Sequence, residues 1–295
     1  MERFLGGLLN LGLSALVIVT VVLVVRPLGI PLVTAATAES KVISSMMKVV
    51  PPEAQDLVTQ MRSSIVHAAG LPEISQLLYP EQEAPTEALE TPELTEASKS
   101  VVQIVGTAPA CNFVSEGSGF VVGGGLVVTN AHVVSGIDTP SVLGRGGEAA
   151  TGRVIYYNLE EDIAILSAPS FPVAGLTVDS TEIPAGTNVA FMGFPGGGPF
   201  SNRAATVQGL GYTQTVNAET GEPNPSRQVY QLAAQVEQGN SGGPVLTADG
   251  RVMAMIFAKS TESQTGYAIP ARTIIEALNT VNADSPAVTT GQCAA

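Results

Sequence analysis

Residues 235–246 read QVEQGNSGGPVL, with Gly239, Asn240, Ser241, Gly242, Gly243 and Pro244 crowded between two apolar stretches. One serine among glycines has three readings here. It is an ordinary loop; it is the G-x-S-x-G elbow that lifts a nucleophile between a strand and a helix; or the glycines let backbone N–H groups converge beside a reacting hydroxyl. A serine hydroxyl is a weak nucleophile and needs an adjacent base. The histidines therefore separate the readings.

The chain has two, His67 and His132. His67 sits in an upstream stretch with no chemical partner near it and reads as a surface or packing residue. His132, in TNAHVVSG, is the only histidine in the half that carries Ser241. If Ser241 is activated within its own domain, His132 is the base. Elbow enzymes run Ser, Asp/Glu, His, yet no histidine follows Ser241, and PVLTADGRVMAM reads as a hairpin. The third member of such a site is a buried carboxylate that orients the imidazole. Asp162, in LEEDIAILSA, opens an apolar strand and is the best candidate. Glu160 and Glu161 read as solvated turn charges, and Asp138, Asp179 and Asp249 as turn formers. The resulting order, His132, Asp162, Ser241, is the chymotrypsin order.

Composition agrees with a strand-rich chain. Of 295 residues, 13% are charged and 45% hydrophobic, with 31 Gly, 20 Pro and no Trp. Beyond Ser100 the sequence becomes a series of short β-branched runs bounded by Gly, Pro, Asn or Asp: SVVQIVGTA, GFVVGGGLVVTNAHVV, ATGRVIYY, DIAILSA, TNVAFMGF, AATVQGLGYTQTV, RQVYQLAAQV, GPVLTADGRVMAMIFAK and GYAIP. This pattern predicts an all-β sandwich or barrel domain. ARTIIEALNTV reads as a closing helix with Ile274, Ile275 and Leu278 apolar. The net charge of −13 argues against nucleic acid, which requires a basic face. The cysteines, Cys111 and Cys293, form no C-x-x-C pair, and with the two distant histidines they show no metal-ligand spacing. No metal or other cofactor is expected. A disulfide between Cys111 and Cys293 is the better reading, and it requires an oxidising compartment.

Residues 4–25 hold 22 positions without a charge, the length of a bilayer-spanning helix. A secretory signal peptide is the rival, with Ala36-Thr37-Ala38 as its cleavage site. The apolar run exceeds the usual signal length, so an uncleaved anchor in the lipid bilayer is preferred. The organisation predicted is an anchor over 1–33, a partly helical juxtamembrane stalk over 34–79, an acidic linker over 80–99 and a catalytic domain over 100–295. The linker carries six Glu and three Pro and reads as solvated and extended. The cysteines place everything after the anchor outside the cytoplasm.

TNAHVV, EDIAIL, QGNSGGPV and GYAIPA resemble the trypsin-like serine proteases of the bacterial HtrA (Deg) group. The long anchor, the acidic stalk, EGSGFVV and the two cysteines sharpen this to a resemblance to the membrane-anchored acid-resistance serine proteases of the MarP family. The likeness spans about residues 100–280. It implies a chymotrypsin-like double six-stranded β-barrel with the site between the barrels. It makes His132 general base and then acid, Asp162 its orienter and Ser241 the acylated nucleophile. The N–H groups of Gly239 and Ser241 form the implied oxyanion hole. Gln235 falls at the base of the implied S1 pocket; being uncharged, it suggests a small or medium apolar P1 residue. Phe257, Ala258, Lys259 and Ser260 form the implied substrate-pairing strand. Two departures stand out. HtrA proteins carry a PDZ domain after the protease, whereas the stretch after Pro270 is too short for one. MarP relatives have four membrane helices in a CvpA-like region, and MERFLGGLLNLGLSAL resembles only the start of the last.

The function expected is an extracytoplasmic endopeptidase that cuts cell-envelope proteins and supports acid or envelope stress resistance. The alternative is an anchored binding or scaffold protein in which proteolysis is dispensable.

Overall fold

A computed structural model describes residues 72–74, 77–108, 113–215, 223–261 and 263–291. The apolar run at 4–25, His67, Cys111 and Cys293 lie outside the described residues, so the expected anchor and disulfide do as well. Among the described residues no helix is long and apolar enough to cross a membrane.

A two-residue strand, β1 (Glu73–Ile74), and a short helix, α1 (Pro92–Ala97), precede the domain. The first half is built from β2 (Val101–Ala108), β3 (Phe113–Val122), β4 (Leu126–Thr129), β5 (Ser141–Leu143), β6 (Ala149–Thr151), β7 (Arg153–Asn158) and β8 (Ile163–Ser167), with helix α2 (Ala131–Val134) after β4. The second half comprises β9 (Asn188–Gly193), β10 (Ser201–Thr213), β11 (Arg227–Ala233), β12 (Pro244–Leu246), β13 (Val252–Ser260), β14 (Thr265–Pro270) and helix α3 (Ala271–Leu278). The fold is all-β and chymotrypsin-like, as expected.

The strand counts differ from two sixes. The first sheet runs β6-β5-β2-β3-β4-β8-β7, seven strands. ATGRVIYY, read as one run, is two strands. It breaks at Gly152, whose N–H donates to the Pro140 carbonyl at 2.7 Å. The second sheet runs β1-β13-β12-β9-β10-β11-β14, and β13 also pairs with β14. That closes a ring of six, with β1 added on the outer edge of β13. Closing the ring removes most unpaired edge groups, so β1 covers an edge that the barrel itself leaves open.

One apolar cluster joins the halves. It takes Phe120, Val128 and Ile163 from the first sheet, Met192, Leu246 and Phe257 from the second, Leu94 and Ala97 from α1, and Ile274 from α3. Each fully buried aliphatic side chain contributes about 1.5–3 kcal/mol. The site therefore sits on a rigid seam.

The acidic stretch 80–99 is not an extended linker throughout. Thr91 Oγ1 caps α1 by accepting from the Leu94 N–H at 3.0 Å, and Pro92 opens its first turn. Leu94 and Ala97, three residues apart, share the buried face of α1. The glutamates dominate the composition, but it is the spacing of these two apolar residues that seats the helix. At the other end, residues 283–290 lie along the first sheet. The Ala283 carbonyl accepts from Arg153 and Ser167, and the Thr290 carbonyl from the Gly136 N–H at 3.1 Å.

Candidate active site

His132 comes from α2 and Asp162 from the turn entering β8. Asp162 has φ 54°, making it the one non-glycine residue with positive φ among those described. Aspartate tolerates this left-handed region better than most residues. The turn aims its carboxylate at α2. Asp162 Oδ2 lies 2.8 Å from His132 Nδ1, and Oδ1 accepts from the His132 backbone N–H at 3.0 Å. Asn130 Nδ2 donates to the Asp162 carbonyl at 2.8 Å. His132 is 7% exposed and Asp162 5%, so the pair is shielded from water, where such interactions are strongest. Asp249 lies in a turn and Asp138 in a bend, and Asp179 accepts from the Thr181 N–H at 2.9 Å and pairs with Arg251.

The loop that carries Ser241 is drawn to the same place by β3. Ser118 N–H donates to the Ser241 carbonyl at 2.8 Å, and Ser115 Oγ donates to the Val133 carbonyl at 2.8 Å. Gly117 stands between them: a β-carbon there would lie 2.7 Å from Val133 Cγ1 and 3.2 Å from the Ser241 carbonyl. Any side chain at 117 would push α2 and the Ser241 loop apart. Ser241 is buried, and its Oγ and His132 Nε2 are both buried atoms without a hydrogen-bond partner. Buried polar atoms are normally paired; these two are not, and no hydrogen bond joins them to each other.

The turn that contains Gly239 is ordered. Asn240 N–H donates to the Glu237 carbonyl at 3.0 Å across Gln238 and Gly239. Gly239 has φ +88°, as the third position of a type II turn requires. The Gln238 carbonyl accepts from the Gly196 N–H at 2.7 Å. In a planar trans peptide the carbonyl and the following N–H point opposite ways, so the Gly239 N–H faces away from the 194–197 loop. Among the described residues, neither the Gly239 nor the Ser241 N–H donates to a partner.

Gln235 is not at the base of a pocket. It is exposed, and its carbonyl accepts from Arg203 at 3.2 Å. In extended chain, alternate side chains face opposite ways, so Ala234 and Val236 turn inward and Gln235 and Glu237 outward. The inward residue beside the loop is Val236; a β-carbon on Gly266 would stand 2.5 Å from its Cγ2.

Phe257 and Ala258 are fully buried. Their backbone lies on one edge of β13, between the Ile256 carbonyl, which accepts from the Gly242 N–H at 2.9 Å, and Lys259, whose N–H donates to the Pro72 carbonyl at 3.1 Å. β1 pairs parallel with Lys259 and Ser260, and Lys259 Nζ is 3.7 Å from Glu73.

Sequence reading missed Arg227. Its guanidinium lies 4.4 Å over the Phe257 ring, buried, with Nε and Nη1 unpaired. Burial lowers its pKa, while the charges of Asp162 and Glu161 raise it. Nothing local in RQVYQL signals this, because Phe257 comes from another strand of the same sheet and the acidic residues from the other half of the domain. Among the described residues no cluster of potential metal ligands occurs.

The trypsin-like peptidase domain family matches residues 117–255. Serine protease Rv3671c of Mycobacterium tuberculosis is 30% identical over 306 residues, covering 99% of this chain and 75% of the relative. The Do-like serine protease HtrA of Lactococcus lactis is 29% identical over 186 residues, covering 58% of this chain and 45% of that protein. The crystal structure of the Rv3671c protease in its active form superimposes with TM-score 0.70 at 31% identity, over 76% of this chain and 98% of that one. Its inactive form gives 0.60 over 68% and 98%. The chain belongs to the trypsin-like, HtrA-related serine proteases of the MarP type.

Proposed function

We propose that this serine protease is a membrane-anchored, extracytoplasmic endopeptidase that cuts cell-envelope proteins and supports resistance to acid or envelope stress. The observation that carries the catalytic part is the buried His132–Asp162 pair beside a buried, unpartnered Ser241 Oγ. Ser241 Oγ attacks the scissile carbonyl while His132 Nε2 takes its proton. The negative oxygen of the tetrahedral intermediate accepts from the N–H groups of Gly239 and Ser241. His132 then passes the proton to the leaving amine, and water repeats the sequence on the acyl-enzyme. Each oxyanion donor supplies about 3–4 kcal/mol in such sites. Asp162 keeps the imidazole proton on Nδ1, leaving Nε2 free to accept.

Substrate pairs along the open edge at Phe257 and Ala258, with its P1 side chain toward Val236. An apolar residue at this position favours a small or medium apolar P1. The anchor at 4–25, the disulfide between Cys111 and Cys293 and the envelope location rest on sequence. The disulfide would tie the tail to the first sheet, along which residues 283–290 already run. A fluorophosphonate probe tests the core of this reading: it should label Ser241 in the native chain and not in His132→Ala. Equal labelling of both would overturn it. The stress role fails if a Ser241→Ala copy restores acid survival to a deletion strain.

A further inference from the structure

EGSGFVV lies on β3, outside the triad, yet its serine touches the oxyanion turn. Ser118 is fully buried. Its Oγ donates to the Gly239 carbonyl at 2.6 Å and accepts from the Phe194 N–H at 2.9 Å. One hydroxyl from the first barrel thus bridges two loops of the second. The peptides on either side of Gly239 are both held: the Gln238 carbonyl by the Gly196 N–H, and the Gly239 carbonyl by Ser118.

We propose that Ser118 is a positioning residue for the oxyanion hole, fixing the peptide planes around Gly239 so that its N–H faces the reacting carbonyl. This rests on the reading of Ser241 as nucleophile. Gly239 has no side chain to restrict rotation of its peptides, and the alternative turn, with the 238–239 peptide flipped, turns the N–H away from the site. A hydrogen bond to each flanking carbonyl selects one turn. The Ser118 bond also spans the barrels: Phe194 belongs to the loop that carries Gly196, so losing the hydroxyl loosens both holds together. A second tie supports the loop, where Gln103 Nε2, also from the first barrel, donates to the Gly197 carbonyl at 3.0 Å. Ser118 touches no substrate atom. Its effect appears only where negative charge develops on the carbonyl oxygen.

The test compares the native chain with Ser118→Ala and Ser118→Cys. It uses a chromogenic peptide, a peptide boronate whose tetrahedral adduct fills the oxyanion hole, and a peptide isostere with a methylene-amine in place of the scissile amide. Removing one oxyanion donor outright lowers kcat by about 10²–10³-fold, so mispositioning it should lower kcat by roughly 10–100-fold. KM and isostere affinity should stay within about twofold, and boronate affinity should fall in parallel with kcat. Ser118→Cys, which keeps a weak donor, should lie between. Unchanged kcat in Ser118→Ala, or equal losses for boronate and isostere, overturns the proposal. If Ser118→Ala does not fold, Ser118→Cys decides by the same comparison. A native chain with no Ser241-dependent hydrolysis would instead sink the nucleophile reading.

Discussion

Asp162 grips His132 twice: Oδ2 meets the ring Nδ1 at 2.8 Å, and Oδ1 accepts from the backbone N–H of the same residue at 3.0 Å. The carboxylate thus sets both the tautomer and the seat of α2. Asp162→Asn keeps the backbone contact through the amide oxygen but presents the ring with a group that favours the wrong tautomer. Activity toward a peptide substrate should fall by about 10⁴-fold with little change in Tm. A loss under tenfold would remove Asp162 from the triad.

Gly239→Ala should damage the oxyanion turn. The φ of +88° is strained for alanine, and a β-carbon would stand 2.8 Å from the Gly196 N and run into the Phe194 carbonyl. We expect about 1–3 kcal/mol of destabilisation and a fall in kcat of about 10²-fold or more. Denaturant titration and steady-state kinetics measure the two.

The edge of β13 is partly occupied by the protein's own chain. The Pro72 carbonyl, just before β1, takes the Lys259 N–H, and the following segment is clamped by Gln231, whose Oε1 accepts from the Leu78 N–H at 2.7 Å, and by Tyr79, whose Oη donates to the Leu210 carbonyl at 2.6 Å. If substrate pairs along this edge as proposed, it meets β1 at Lys259. Tyr79→Ala weakens the clamp, and KM for a long peptide should fall several-fold, while KM for a dipeptide amide stays the same. A KM unchanged for both would show that β1 does not obstruct substrate.

Leu94→Ala tests whether α1 belongs to the fold. Leu94 is 1% exposed in the cluster that joins the sheets. Its truncation should cost about 2–5 kcal/mol, read as a lower denaturation midpoint. A change below about 0.5 kcal/mol would mean that the helix is only a tether.

Tyr267 is fully buried in β14, and burial pushes its hydroxyl up to about 12 from 10.0. The folded state therefore keeps this proton after the unfolded state has lost it. Stability is full below pH 10 and falls as pH rises from 10 toward 12. Tyr267→Phe should flatten that part of the curve, as measured by Tm against pH.

Much of the site is legible in local sequence. A lone downstream histidine, a carboxylate opening an apolar strand and a serine among glycines are each ambiguous, but their order excludes the elbow enzymes. Short β-branched runs announce the strands because a half-buried pleated surface selects those side chains. Other features require the folded chain. Gln235 and Val236 are adjacent, and which one faces inward depends on the pleat, which a one-residue shift reverses. α1 is hidden by the glutamates around it. Ser118 and Arg227 matter through partners far away in sequence, Phe194 and Gly239 for one and Asp162 and Glu161 for the other, and no spacing rule reaches across two barrels. The order and identity of the reacting groups are carried by the linear chain, since chemistry depends on residue type. The direction in which Gly239 points its N–H, and the strand that covers Lys259, arise only in the folded chain, because each depends on hydrogen bonds between segments far apart in sequence: Ser118 with Gly239, and Pro72 with Lys259.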